Sequence, residues 1–473
     1  DIGEFEDFPS NTLPGFVERL TTFLPSLIEH RCSYGERGGF LRRLEEGTWI
    51  GHILEHVSLE LQNLAGMPGG FGKARETSQR GIYKVVIRAW HEEVSRFALE
   101  SGRELLLAAV EDRPFDLAGR VEALRDMAER KLLGPSTASI VEAATAKDRR
   151  IPAIRLLADG NLVQLGYGKL SRRIWTAETD ETSAIAETIS RDKDLTKSIL
   201  QACGVPIPEG RLVNSPADAW EAAEEIGVPV VVKPHDGNHG RGVFTNLMSR
   251  EEVEAAYPAA LNEGSGVIVE RYIRGSEHRL LVVGDKLIAA ARGETVSVVA
   301  DGKSTLNELV DLQVNSDPRR GAAEEFPLDV VILDKHPVAL LEIRRQGFEP
   351  ESIPPEGREI LIIRTGNHTC DVTDLVHPET AETATLAARV VGLDIAGVDL
   401  VCEDISQPLA GQRGAIVEVN AGPGLLMHLK PENGEPRPVG RAIVDHLFPC
   451  GGNGRIPVVG VTGSYGKTTV ARL

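Results

Sequence analysis

Long apolar runs are missing from this 473-residue chain. No stretch of roughly 18 apolar residues offers a membrane span, and no signal-peptide pattern opens it. An excess of basic residues is missing too. Lys and Arg number 52 against 70 Asp and Glu, a formal net charge of −18. That argues against nucleic-acid or anionic-membrane partners while leaving room for a local basic channel. Aromatic residues are only 5%, so aliphatic cores are expected. Cysteine is sparse: Cys32, Cys203, Cys370, Cys402 and Cys450 are scattered, odd in number and form no CxxC. This suits a reduced cytoplasmic protein rather than a disulfide scaffold. No internal repeat and no low-complexity tract is present.

What is there is ordinary for a soluble globular protein, 41% hydrophobic and 26% charged, in a length that suits about three domains. Helical apolar spacing covers residues 14–30 and 47–66. "GIYKVVIRAW" reads as a strand with a helix from about residue 91, and further α/β structure is expected to about residue 150. "RIPAIRLLADGNLVQLGYG" (150–168) reads as two strands around an Asp-Gly turn. "RDKDLTKSILQACGVPIPEG" (191–210) reads as a helix stopped by Gly204. From 228 to 300 short β-runs alternate with Gly-rich turns. A helix is expected over 379–392, then strands in "AGVDLVCED" and "GAIVEVNAGPG". "CGGNGR" (450–455) is a linker, and "IPVVGVTG" after it reads as a buried strand.

The middle of the chain carries a nucleotide constellation. Lys233 ends "VPVVVKP", and Gly237, Gly240 and Gly242 follow in a loop able to fold over phosphates; Lys193 is a second candidate phosphate lysine. "VIVERYIRGSEHR" (267–279) resembles an adenine hinge, with backbone around Glu270–Tyr272 for the base, Glu277 for ribose hydroxyls, and Arg279 toward phosphate or substrate. Glu418 and Asn420 are two apart and share one sheet face; with Asp399 they offer hard oxygens for Mg²⁺ on ATP phosphates. A lone Gly-rich loop or a lone ExN carries little weight. The order Lys, Gly-loop, hinge, D…ExN resembles the ATP-grasp ligases. That resemblance implies ATP and Mg²⁺, a carboxylate attacking the γ-phosphate, an acylphosphate, and an amine displacing phosphate.

A second nucleotide signal closes the chain. Gly460, Gly463 and Gly466 precede Lys467, Thr468 and Thr469. Such a turn can wrap backbone N–H groups around phosphates, with the lysine on the outer phosphates and a threonine on Mg²⁺. The strict spacing would place glycine at Val461; the GxxGxxGKTT pattern found here resembles the Mur-ligase P-loop. A loop of this kind works on the edge of a complete sheet, so the chain is expected to be a portion of a longer protein.

An ATP-grasp module followed by a Mur-type P-loop resembles the cyanophycin synthetase family. The likeness is carried by "GGFLRRLEEGTWIGHILEHVSLELQNLAGMPGGFG" (38–72), "VVKPHDGNHGRGV", "VNSDPRRG", "DVTDLVHP" and "VEVNAGPGLLMHLKPENGEPRPVGRAIVDHLF". It implies a multidomain fold of α/β and α+β character. Residues 1–160 would be an N-terminal α/β domain, 161–450 an ATP-grasp domain, and 451–473 the linker, first strand and P-loop of a Mur ligase-like domain. The implied reaction activates the C-terminal carboxylate of a poly-aspartate or cyanophycin primer and adds aspartate; arginine addition would fall to the Mur-like domain. A homo-oligomer is expected. Arg279, Arg292, Arg319 and Arg320 are candidates for the acidic substrate, because guanidinium pairs carboxylate bidentately. Two stretches depart from the family pattern: "TGNHTCDVTD" (365–374) is short, and "GETVSVVADGKST" lacks the usual Arg-x-Pro-Ala character. They leave open a relative that polymerises β-aspartyl-arginine dipeptides.

"HILEH" supplies a third motif. His52 and His56 lie four apart on one helix face with Glu55 beside them, the HxxEH pattern of two zinc ligands and a general base. Glu60 lies a further turn along, about 6 Å by helix rise. Glu76, after a Gly-rich turn, is the better third ligand. The resemblance also implies that this domain is a zinc hydrolase trimming polymer into primers in some members. Three functions thus compete: an ATP-dependent amide ligase, a zinc hydrolase, and a non-catalytic polymer-binding module. Lys233, Glu418 and Asn420 favour the first, since a pure binder needs no Mg²⁺ face.

Overall fold

Apolar residues at helical spacing organise the first part of the chain. Ile53, Val57 and Leu61 recur every four residues along the helix Ile50–Leu64 and are all buried. The helices Phe16–Phe23, Gly39–Glu46, Glu92–Glu111 and Leu117–Lys131 add Leu20, Leu44, Leu105 and Leu124 to the same core. The computed structural model describes residues 1–67, 70–236, 242–317, 320–321, 328–363 and 368–472. The chain forms two compact units, residues 1–133 with 158–160, and residues 134–157 with 161–473.

The first unit is mainly helical rather than α/β. Its strands among the described residues are Gly72–Glu76 and Tyr83–Ile87, an antiparallel ribbon with Glu76 opposite Tyr83. The α/β stretch expected to residue 150 is helical because Leu124 and Ala128 keep a period of four into the core. The boundary also differs from 160. Helix Pro135–Thr145 packs on helix Val439–Leu447 and belongs to the second unit. The tip of the Asp-Gly turn belongs to the first, where Asp159 sits 3.1 Å from Lys131 Nζ.

Two of the antiparallel sheets of the second unit position the site. A four-stranded one runs in the order Gly210–Val213, Val267–Arg271, Val230–Pro234, Phe244–Leu247. Helices Pro216–Ile226 and Arg250–Leu261 cover it, burying Val230, Val232, Val267 and Val269. A five-stranded one runs His368–Asp371, Lys286–Gly293, Ser276–Val283, Ile395–Cys402, Ala415–Ala421. Helix Pro378–Val391 backs it with Ala384, Ala387, Ala388 and Val391. Helix Lys193–Ala202 begins at Asp192, whose side chain accepts the Leu195 N–H at 3.0 Å, and packs on Pro378–Val391.

After residue 450 the chain is pinned briefly and then released. The Gly454 carbonyl accepts the Tyr167 N–H at 2.7 Å, and Arg455 donates to the Arg150 carbonyl at 3.0 Å. The strand expected in "IPVVGVTG" does not form: Val458 and Val459 are 81% and 84% exposed. A strand of that composition needs neighbours on both sides to bond its backbone, and none of the described residues provides them. A six-residue helix, Lys467–Arg472, follows the glycine loop. No helix among the described residues is long and apolar enough to cross a membrane.

Candidate functional site

Strand register builds the central site. Arg279 lies opposite Asp399, and Asp399 lies opposite Glu418, so one row of side chains crosses three strands on one sheet face. Gly397 makes room for the row: a Cβ there would meet the Arg279 side chain at 3.3 Å and Pro423 at 2.9 Å. Arg279 clamps Asp399 with both guanidinium edges, Nη2 donating to Oδ2 at 2.8 Å, and the Asn420 amide donates to the same carboxylate at 3.0 Å. Arg279, expected from the sequence to face phosphate or substrate, and Asp399, expected to meet Mg²⁺, are thus paired with each other. Burial pushes the Asp399 carboxyl above the usual range; the guanidinium opposes this and the Glu418 carboxylate adds to it. Glu418 and Asn420 remain on the face to meet a cation. Glu277 is two residues from Arg279 on the same strand and face.

Facing this row are buried lysines. Lys233 ends its strand with Nζ 3.1 Å from Glu270 Oε2, and Lys193 approaches Glu418 Oε1 at 3.5 Å. Burial, then the charge of Lys193, holds the Lys233 ammonium down at about 8. Lys197, which sequence reasoning passed over, also reaches the Glu270 carboxylate. Its signal was the i,i+4 spacing from Lys193, which puts both on one helix face. Burial, then Lys233, pushes Lys197 well below the ordinary lysine range. The Glu270 side chain thus serves lysines, whereas the expectation for the base concerns the backbone around Glu270–Tyr272. The Tyr272 N–H is taken by the Pro229 carbonyl and the Arg271 N–H by the Glu209 carbonyl, which leaves this part of the hinge its other backbone groups. Lys193 and Lys233 together with Glu418 and Asn420 fit a magnesium–nucleotide chemically: cations for phosphate oxygens and hard oxygens for the metal.

Gly242 is buried in a left-handed turn (φ +68°) against Glu263 and Pro234; Gly237, Gly240 and Arg319 lie outside the described residues. Arg292 pairs with Glu294 at 3.2 Å, and Glu294 accepts from the Cys370 thiol at 2.9 Å, which with Arg292 holds its carboxyl below the usual range. Arg320 is half-buried in a two-residue strand. Sequence reasoning also missed Arg437, which ties Asp371 (2.9 Å) to Asp374 (2.7 Å) of the "DVTD" stretch. In the terminal loop, Gly463 and Gly466 have positive φ, Thr468 lies in the closing helix, and Lys467 Nζ folds back on the Gly463 carbonyl.

In the first unit a histidine cluster forms around helix Ile50–Leu64. Cys32 Sγ lies 3.5 Å from His52 Nε2, and Thr48 Oγ1 lies 2.8 Å from His52 Nδ1. His30 bridges His56 (Nδ1 to Nδ1, 2.8 Å) and Glu60 (Nε2 to Oε2, 2.6 Å), and Phe40 stacks on His56 with ring centroids 3.9 Å apart. Burial, then the charges of His52 and His30, pushes His56 down to about 3. The metal-competent group is Cys32, His52 and His56, whose ligand atoms all lie within 4.8 Å of one another. Glu76 is not part of it: the ribbon places Glu76 exposed at the end of its strand. Glu55 turns to the same ribbon, accepting the Ala74 N–H and pressing on Gly72, and burial raises its carboxyl. Cys32 and His30 had no sequence motif to reveal them, and Glu60 acts through His30 rather than on the helix face alone.

Residues 1–111 match the family described as the cyanophycin synthase-like N-terminal domain, and residues 186–288 match the ATP-grasp domain. The second match holds Lys193, Lys197, Lys233, Glu270 and Arg279; Asp399, Glu418 and Asn420 lie beyond it. The chain is 45% identical to the cyanophycin synthetase of Trichormus variabilis over its whole length, covering 53% of that protein, and 44% identical to that of Synechocystis sp., covering 55%. It thus spans about half the length of the curated relatives it matches. A bifunctional glutathione synthetase from Pasteurella multocida is similar at 26% identity and a TM-score of 0.46, over 76% of this chain and 52% of that one. With both matches in this order and the whole chain aligned, the chain carries a cyanophycin synthase-like N-terminal domain and an ATP-grasp domain, and is similar along its whole length to about half of each cyanophycin synthetase.

Proposed function

We propose that this chain is an ATP-dependent amide ligase acting on a cyanophycin or poly-aspartate primer. The observation that carries the reading is the row Arg279–Asp399–Glu418 with Asn420, set against Lys193 and Lys233. A primer's C-terminal carboxylate oxygen attacks the γ-phosphorus of ATP, ADP leaves, and an acylphosphate results. The amine of aspartate then attacks the acyl carbon, phosphate leaves, and the amine proton passes to solvent. Lys233 and Lys193 hold phosphate oxygens as charge shifts among them. Glu418 and Asn420 would hold Mg²⁺, which supplies charge neutralisation of the phosphates. Arg279 keeps Asp399 fixed behind them. Arg292 and Arg320 are the described candidates for substrate carboxylates. The loop Gly463, Gly466, Lys467 and Thr468 fits the opening of a Mur ligase-like domain that would add arginine.

Phosphate release with ATP, Mg²⁺ and a short primer tests this, with aspartate and β-aspartyl-arginine in separate tubes. Release that needs aspartate supports the reading. Release with the dipeptide alone assigns the chain to dipeptide polymerisation, and no release from folded protein in either tube sinks the ligase.

A second reading, a zinc-dependent hydrolase, is favoured by the convergence of Cys32, His52 and His56. Thr48 on His52 and the His30–Glu60 pair on His56 would orient the two ligands. Cleavage of cyanophycin without ATP, lost with a chelator and with His56→Ala, is its expected outcome; cleavage indifferent to the chelator contradicts it.

A further inference from the structure

Lys197 has no place in the reaction as drawn, yet it is one of the most enclosed cations of the second unit. Its side chain is 11% exposed and reaches a Glu270 carboxylate that is 3% exposed. The opposite oxygen of that carboxylate belongs to Lys233. Lys193 and Lys197 leave the same helix face and part company: Lys193 meets Glu418 of the five-stranded sheet, Lys197 meets Glu270 of the four-stranded one. The fit around Glu270 is also close. A Cβ on Gly210, its neighbour across the strands, would come within 2.6 Å of the Glu270 Cγ. The carboxylate is therefore fixed, dry and shared between two ammoniums.

Sharing matters when a nucleotide arrives. Lys233 can turn to a phosphate only by giving up part of its hold on Glu270. If Lys233 were the sole partner, that move would strand a buried carboxylate without a counter-charge, a heavily penalised state. With Lys197 in place, Glu270 keeps an N–H partner throughout and Lys233 exchanges one anion for another.

We infer that Lys197 is a positioning residue of the nucleotide site, holding Glu270 so that Lys233 is released to bind phosphate. This rests on the reading of the site as an ATP site. Lys197 acts through Glu270 and makes no contact with the nucleotide itself.

The test is calorimetric binding of a non-hydrolysable ATP analogue with Mg²⁺ to the full chain, for the unaltered protein, Lys197→Met, Glu270→Gln and the double variant. The unaltered chain binds, and Lys197→Met weakens binding about tenfold or more. Glu270→Gln removes the charge that needed holding, so the double variant binds within about twofold of Glu270→Gln alone. Loss of a mere packing residue would not be rescued in this way. Should Lys197→Met not fold, Glu270→Gln against the double variant carries the test unaided. Two results overturn the inference: Lys197→Met binding as tightly as the unaltered chain, or a double variant about tenfold weaker than Glu270→Gln, which would mean that Lys197 touches phosphate directly. No binding by the unaltered, folded chain would instead overturn the ATP reading beneath it.

Discussion

The lysine cluster of the second unit gathers its charges from one helix and five strands, whereas the histidine cluster of the first unit takes His52, His56 and Glu60 from one helix and His30 and Cys32 from the segment before it. In the former, ammonium and guanidinium groups meet Glu270, Glu418 and Asp399 out of water. In the latter, burial pushes His52 and His56 down, toward neutral rings held by short polar contacts. A charged cluster is balanced only as a set, so deleting one member exposes another to the low dielectric. A neutral cluster is instead vulnerable to the proton.

Substitutions at the charged cluster should have the largest effects. Glu418→Ala is expected to lower ATP turnover by about a thousandfold or more while the far-ultraviolet spectrum is unchanged; retained turnover would remove Glu418 from the metal face. Arg279→Ala leaves Asp399 buried and uncompensated. Denaturant unfolding of the second unit should show a loss of about 3–5 kcal/mol, most of it recovered in Arg279→Met with Asp399→Asn. Recovery failing in the double variant would mean that Arg279 acts by packing.

Acidity should separate the two clusters. Unfolded His56 takes its proton near the ordinary 6.5, and in the fold it resists until about 3. Between those values the unfolded chain binds more protons, so the first unit loses stability as pH falls from about 6.5 toward about 3. Hydrogen exchange along Ile50–Leu64 would read this; exchange that is flat with pH over that window would contradict it. At the other cluster the limb is alkaline. Lys233 sheds its proton near 8, so ATP affinity should fall as pH rises through that value. The smallest effect concerns Val458 and Val459. Ending the chain after Ile456 should improve solubility, whereas ending it at Cys450 also discards the Gly454 and Arg455 contacts and should lower the melting temperature.

Much of the central site was legible in the chain because its motifs are local. The strand carrying Lys233, the hairpin around Gly284 and the two strands with Asp399 and Glu418 form where alternating and β-branched residues place them. What the chain could not display was pairing across sheets. That Asp399 would be clamped by Arg279 depends on two strands over a hundred residues apart meeting in one register, and that Glu270 would hold two lysines depends on a helix lying beside a sheet. The same limit explains Glu76. Its ribbon register fixes it at an exposed end, while Cys32, in a short turn without a motif, arrives beside His52. The "IPVVGVTG" stretch shows the converse, strand composition without partners to pair it.

The most direct test of the account is phosphate release from ATP and Mg²⁺ with a cyanophycin primer and aspartate, run beside Glu418→Ala. The account predicts release that depends on both primer and aspartate and vanishes in the variant. Release that is equal in the variant, or none from folded protein with either aspartate or the dipeptide, would contradict it.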